Sequence, residues 1–221
     1  MQHRLSIKSQ AVSSASGTAT STPAYAVLCT PTRTFQLRQV QTSNSVFITQ
    51  AEPHANADAI SQPRISAIAS CTATLELHPS SSFAIASLKQ MLPLYDMIDG
   101  SADVSGNGKG KADIFADIPL SNGECQTGWD ELIAFEFAGS SFRPSANTLS
   151  QAWLAVHSAA LAEGVKLDSQ FPTQDVLKAV DDEPYPSTLM SAMLRHLAKG
   201  DQAEESCELP TLSQSTLVLS D

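Results

Sequence analysis

The stretch AYAVLCTPTRTFQLRQVQTSNSVFI, Ala24–Ile48, reads as two or three short β-strands separated by polar turns. Ala24–Cys29 is an apolar strand candidate, and Thr30-Pro31-Thr32-Arg33 is a turn. Phe35–Val40 alternates, with Phe35 and Leu37 on one face and Gln36 and Arg38 on the other. Thr42-Ser43-Asn44-Ser45 has turn chemistry, after which Val46–Thr49 resumes the strand. The stretch holds no catalytic set. It reads as a scaffold that pairs with something.

Working outward, Leu5–Ile7 is a short strand candidate. Gln10–Pro23 is uncharged and rich in Ser, Thr and Ala, as expected of a mobile loop or insertion. Glu52–Pro63 is loop-like. Ile65–His78 carries the cleanest pattern in the chain. Ile65, Ala67, Ala69, Cys71, Ala73, Leu75 and Leu77 alternate with mostly polar neighbours, Ile68 excepted. Period two over that length predicts a long, half-buried strand. Four or five such strands make a small antiparallel sheet with open edges. Open edges must be covered, charged or paired, and few edge charges are visible here. A strand from a partner is one solution.

Beyond the sheet the character changes. Pro79 to Ser82 precedes a predicted helix at Phe83–Leu92, with Ser near its N-cap and Pro93 as its stop. Asp99–Lys111 is Gly/Ser-rich and predicts a linker. Helical spacing follows over Glu124–Phe137, Ala146–Glu163, Thr173–Val180 and Ser187–Lys199. Short helices joined by tight turns suit a helix-turn-helix or winged-helix-like unit. The expected organisation is α+β: a β-barrel-like unit at 1–95, a linker at 96–116, a helical, winged-helix-like unit at 117–200, and an acidic and polar tail at 201–221.

Bulk properties narrow the function. The 221 residues include 42% hydrophobic and 16% charged, which allows a packed core. Net charge is −10, and Ser150–Asp221 carries 11 acidic against 4 basic residues. Phosphate-backbone binding needs clustered Lys and Arg, so direct, tight DNA binding by this chain alone is disfavoured. A basic partner protein suits it better. Cys29, Cys71, Cys125 and Cys207 lie far apart with no C-x-x-C, which argues against structural zinc and predicts free thiols in a reducing compartment. No apolar run approaches the ~18 residues of a membrane span, and the N-terminus has no leader-like apolar region. A soluble, intracellular protein is expected.

Motifs that hint at chemistry fail on detail. Asp103 to Gly108 opens like a calcium loop, but Ile114 stands where a bidentate Glu is needed. Gly106 to Lys111 lacks the spacing of a phosphate-binding loop, and Ala112 replaces its hydroxyl residue. His3, His54, His78, His157 and His196 share no metal-ligand spacing. Asp181-Asp182-Glu183 is more simply a solvated turn than a catalytic pair. Trp129 and Trp153 sit in rows expected to be core. No catalytic residue, cofactor or metal site is expected.

Three patches together resemble a known family. Ala26-Val27-Leu28-Cys29, then Thr34-Phe35-Gln36-Leu37, then Thr42-Ser43-Asn44 is similar to a signature of the sister chromatid cohesion protein Dcc family. Leu5-Ser6-Ile7-Lys8 resembles that family's preceding strand. Ile118-Pro119-Leu120-Ser121, Trp129 to Ile133, and Phe142-Arg143 after Gly139 resemble its later segment. The resemblance covers most of Leu5–Leu197. The family continues into further winged-helix modules, and Ser206–Asp221 is not aligned with them.

The resemblance implies a non-catalytic, nuclear adaptor of an alternative replication factor C clamp loader. Such a subunit shares a β-barrel with a small chromosome-transmission-fidelity subunit and the C-terminus of the large ATPase subunit. The assembly loads or unloads the PCNA sliding clamp, meets the replicative polymerase indirectly, and supports sister chromatid cohesion, with ATP hydrolysis left to other subunits. On that reading Phe35, Leu37, Val46, Ile48, Cys71, Ala73, Leu75 and Leu77 form the partner interface or shared core. The alternative is a winged-helix nucleic-acid binder using Ser187–Lys199, with Arg195, His196 and Lys199 as its polar reach.

Overall fold

The computed structural model describes residues 5–9, 26–51, 65–80, 83–98, 101–102, 108–167, 169, 171–180, 184–198 and 206–207. The fold is mixed α+β, divided into two compact units, Met1–Ser81 and Ser82–Asp221. That division falls before the segment 96–116 expected as a linker. Part of 96–116 is itself helical, because an apolar pair within it, Ile114 and Phe115, is buried.

The first unit is an antiparallel sheet. β1 (Ser6–Ser9), β2 (Ala26–Cys29), β3 (Thr34–Ala51) and β4 (Ile65–Pro79) lie side by side in chain order. The turn between β2 and β3 is closed by Thr30. Its backbone N–H donates to the Arg33 carbonyl at 2.9 Å, and its hydroxyl accepts from the Arg33 amide at 2.9 Å. The β3–β4 ladder runs from Phe35↔Pro79 to Ala51↔Ile65. The turn expected at Thr42–Ser45 is instead part of one continuous strand. Its extra residues are absorbed as a register shift between Gln41 and Val46. Among the described residues the sheet is open, with β1 and β4 at its edges, and is not a closed barrel.

The second unit begins with α1 (Ala84–Met91) and the short strands β5 (Leu94–Tyr95), β6 (Met97–Ile98) and β7 (Ser101–Ala102). Phe83, not a serine, occupies the α1 N-cap, and its side chain makes no cap bond. α2 (Lys111–Asp117) and α3 (Asn122–Glu131) follow. Ser121 opens α3 with a reciprocal capping box: its Oγ accepts from the Glu124 amide, and the Glu124 carboxylate accepts from the Ser121 amide. α3 stops at Glu131, short of the Phe137 that helical spacing suggested. The chain then forms the hairpin β8 (Phe135–Phe137) and β9 (Ser140–Pro144). Its two-residue turn holds Ala138 at φ 48° and Gly139 at φ 77°, the positive values of a type I′ turn.

α4 (Ala146–Ala162), β10 (Phe171–Pro172), α5 (Thr173–Ala179), α6 (Ser187–Leu197) and β11 (Ser206–Cys207) complete the unit. β11 pairs with β10, so part of the expected tail is structured. Two apolar cores form. One joins Leu88 of α1 and its C-cap Leu92 to Ile114, Cys125 and Trp129. The other joins Tyr95, Phe135 and Phe142 to Val156, Val176 and Leu189–Leu194. Trp153 packs against the second core, partly buried. The segment 117–200, expected to be helical, thus contains the hairpin β8–β9, which β5 extends to a three-stranded sheet, β5-β9-β8.

Candidate partner-binding face of the N-terminal sheet

Residues directly opposite in an antiparallel ladder share a face. Leu37 faces Leu77, Gln39 faces Leu75, Gln41 faces Ala73, Val46 faces Cys71 and Ile48 faces Ala69. The β4 half of this row is apolar from Ile65 to Leu77. In β3, Gln39 and Gln41 interrupt it.

Among the described residues the row is largely exposed. Leu75 is 63% exposed, Leu77 49%, Val46 49%, Ile48 50% and Ile65 71%. Phe35, Leu37, Cys71 and Ala73 are half-buried. The eight residues expected at an interface or shared core therefore lie on one face, and none of them is fully buried. Alternation predicted a half-buried β4, yet no residue of that strand is fully buried. Among the described residues of this unit the buried ones, Val27, Cys29 and Thr34, lie on the opposite face. There the Cys29 Sγ and Thr34 Oγ1 lie 3.8 Å apart.

The edge adds to the face. β4 pairs with β3 on one side alone among the described residues. Its fifteen residues leave a row of unpaired backbone groups about 50 Å long at ~3.3 Å per residue. Edges of folded proteins are ordinarily shortened, bulged or charged. Here Glu76 is the strand's one Asp, Glu, Lys or Arg, and His78 Nε2 lies 3.4 Å from its carboxylate.

The remaining sequence candidates lie apart from this face. The His157 ring lies tilted beside Trp153 with centroids 6.5 Å apart, and His196 Nδ1 lies 2.9 Å from the Asp130 carbonyl. Of α6, Leu189, Met190 and Ala192–Leu194 are buried, so a recognition helix would retain Arg195 and His196. Lys199, the Asp181–Glu183 run, and Asp103–Asn107 of the loop motifs lie outside the described residues. Among the described residues no three His, Cys, Asp or Glu side chains gather as metal ligands, and no helix is long and apolar enough to cross a membrane. Sequence reasoning missed Phe47 and Ile68, which are exposed on the other face of the same two strands. Ile68 had been visible as the single break in the alternation.

The family model for sister chromatid cohesion protein Dcc1 matches residues 2–217. The match takes in most of 206–221, the tail that the sequence motifs left unaligned. Among curated proteins none matches the chain. With nearly its whole length matched, the chain belongs to the sister chromatid cohesion protein Dcc1 family, a family of chromosome cohesion factors.

Proposed function

We propose that this chain is a non-catalytic adaptor subunit of an alternative replication factor C complex, acting in the nucleus on the PCNA clamp. Its sheet is completed by strands from a small chromosome-transmission-fidelity subunit and from the C-terminus of the large ATPase subunit. The observation that carries this reading is the apolar row of β4 on an unpaired edge. Family membership in cohesion supplies the biological setting.

The energetics favour association. Taking a half-exposed Leu, Ile or Val out of water contributes on the order of 1 kcal/mol. Five such residues, Val46, Ile48, Ile65, Leu75 and Leu77, contribute several kcal/mol together. Bringing proteins together costs about 4–15 kcal/mol. The row alone therefore does not secure a stable complex, and the ladder hydrogen bonds of β4 are needed as well. Strand addition supplies both at once.

Co-expression with the two partners tests the reading. The chain is expected to co-purify with both in one stoichiometric species. A chain that stays monomeric and folded, and ignores both partners, contradicts it.

A further inference from the structure

A cavity of about 540 Å³ opens in the second unit, among α2, α3, β8, α5 and α6. Its walls carry Lys111, Lys178 and Arg195. Glu136 is its one carboxylate. That carboxylate is engaged: Glu136 Oε1 accepts from the Lys111 amide at 2.8 Å, tying the start of α2 to β8. The Glu136 carbonyl accepts from the Thr188 hydroxyl at 2.8 Å, tying the start of α6 to the same strand. Lys111 and Arg195 therefore project from helices tied to the same strand.

The three cations are weakly neutralised. Lys111 Nζ lies over two aromatic rings, 5.1 Å from the Trp129 centroid and 5.4 Å from Phe115. Burial lowers its pKa, and Arg195 lowers it further, against the opposing pull of Asp130 and Glu136. Arg195 forms no ion pair among the described residues. Lys178 meets Asp175 at 4.0 Å in an exposed pair, which is worth little. In a chain of net charge −10 this is a local reversal of sign.

We propose that this cavity is a docking site for a short acidic segment of a partner protein. One carboxylate is held between Lys111 and Arg195, a second meets Lys178, and an apolar side chain between them rests on Leu177 and Ala192. Charge complementarity selects the anion. The shape selects the peptide: duplex DNA is bound by cations spread along a track of phosphates, whereas these three line one hollow. The site lies wholly in the second unit, so its test is independent of the sheet.

The probe is a fluorescein-labelled Ser-Asp-Glu-Leu-Glu-Asp-Ser peptide, titrated with the full chain at low salt and followed by anisotropy. A matched peptide with Asn and Gln in place of Asp and Glu is expected to bind at least tenfold more weakly. Arg195→Glu and Lys178→Glu are each expected to weaken the acidic peptide at least tenfold. Lys166→Glu, outside the cavity, is expected to leave it unchanged. The Lys178 side chain is 78% exposed, so its variant tests the site without endangering the fold. In parallel, bound peptide is expected to raise the pKa of Lys111 measured by side-chain NMR. Equal binding of the two peptides, indifference to Lys178→Glu, or duplex DNA that displaces the peptide at equimolar concentration each overturns the proposal.

Discussion

Leu37 and Leu77 stand directly opposite each other in the β3–β4 ladder, yet Leu77 remains 49% exposed. A cross-strand apolar pair of this kind normally closes over a core. Among the described residues of the first unit none buries it, and Leu75, one step along the same face, is more exposed still.

The first prediction separates folding from assembly. Leu75→Asp and Leu77→Asp remove little native packing. Each is expected to change the stability of the free chain by no more than about 0.5 kcal/mol, the usual range for a surface change. Each is also expected to abolish co-purification with the partner subunits. Chemical denaturation of the free chain and pull-down from co-expression read the two effects separately.

A second prediction concerns the contact of α1 with α3. A Cβ on Gly128 would come within 2.9 Å of Leu88 Cδ1, 3.0 Å of Ala84 Cβ and 3.3 Å of the Ile85 amide nitrogen. Gly128→Ala gains about 1 kcal/mol of helix propensity. Overpacking a tight contact costs about 1–3 kcal/mol. Because one clash is with backbone, the penalty is expected to win, with a net loss of about 1 kcal/mol by denaturation.

The hairpin turn offers the opposite sign. Ala138 holds φ 48° without a side chain suited to it. Asn is favoured at this position of a type I′ turn. Ala138→Asn, which creates the Asn-Gly pair, is expected to stabilise the second unit by about 0.5–1 kcal/mol. Thermal unfolding checks it.

How much of this was legible in sequence differs by element. α4 and α6 were readable from their apolar spacing; α4 stops at Glu163 before Gly164, which holds φ 68°, whereas α6 ends at Leu197, two residues short of the Lys199 that spacing suggested. Ser121 was visible as part of a motif, and its capping box gives that serine a physical role. The β8–β9 hairpin was hidden because its turn is Ala-Gly and Trp129 to Phe137 keeps an apolar density that imitates a helix. α2 was hidden at the end of a glycine-rich stretch, though Ile114 and Phe115 give it a buried face. The apolar row of the sheet was readable residue by residue. Its exposure was not, because alternation reports that a face is apolar without telling which chain covers it.

Alkaline pH probes the aromatic core. Tyr95 packs edge-on against Phe135, with ring centroids 5.2 Å apart, and against Phe142 at 5.6 Å. Burial, reinforced by Tyr185, raises its pKa above the ordinary 10.0. The unfolded chain therefore releases this proton first as pH rises, and folding loses the stability tied to the neutral phenol. That contribution is complete below pH 10.0 and is lost as pH climbs through the folded value. Tyr95→Phe is expected to flatten the fall in stability above that pH, measured by denaturation at successive pH values.

Hydrogen exchange along Ile65–Pro79 tests the central claim most directly. In the free chain, every second amide of β4 faces away from β3 and is expected to exchange rapidly. In the complex with the small chromosome-transmission-fidelity subunit and the large subunit's C-terminus, those amides are expected to slow at least a hundredfold. Unchanged exchange across β4 on assembly would contradict an edge completed by a neighbouring chain.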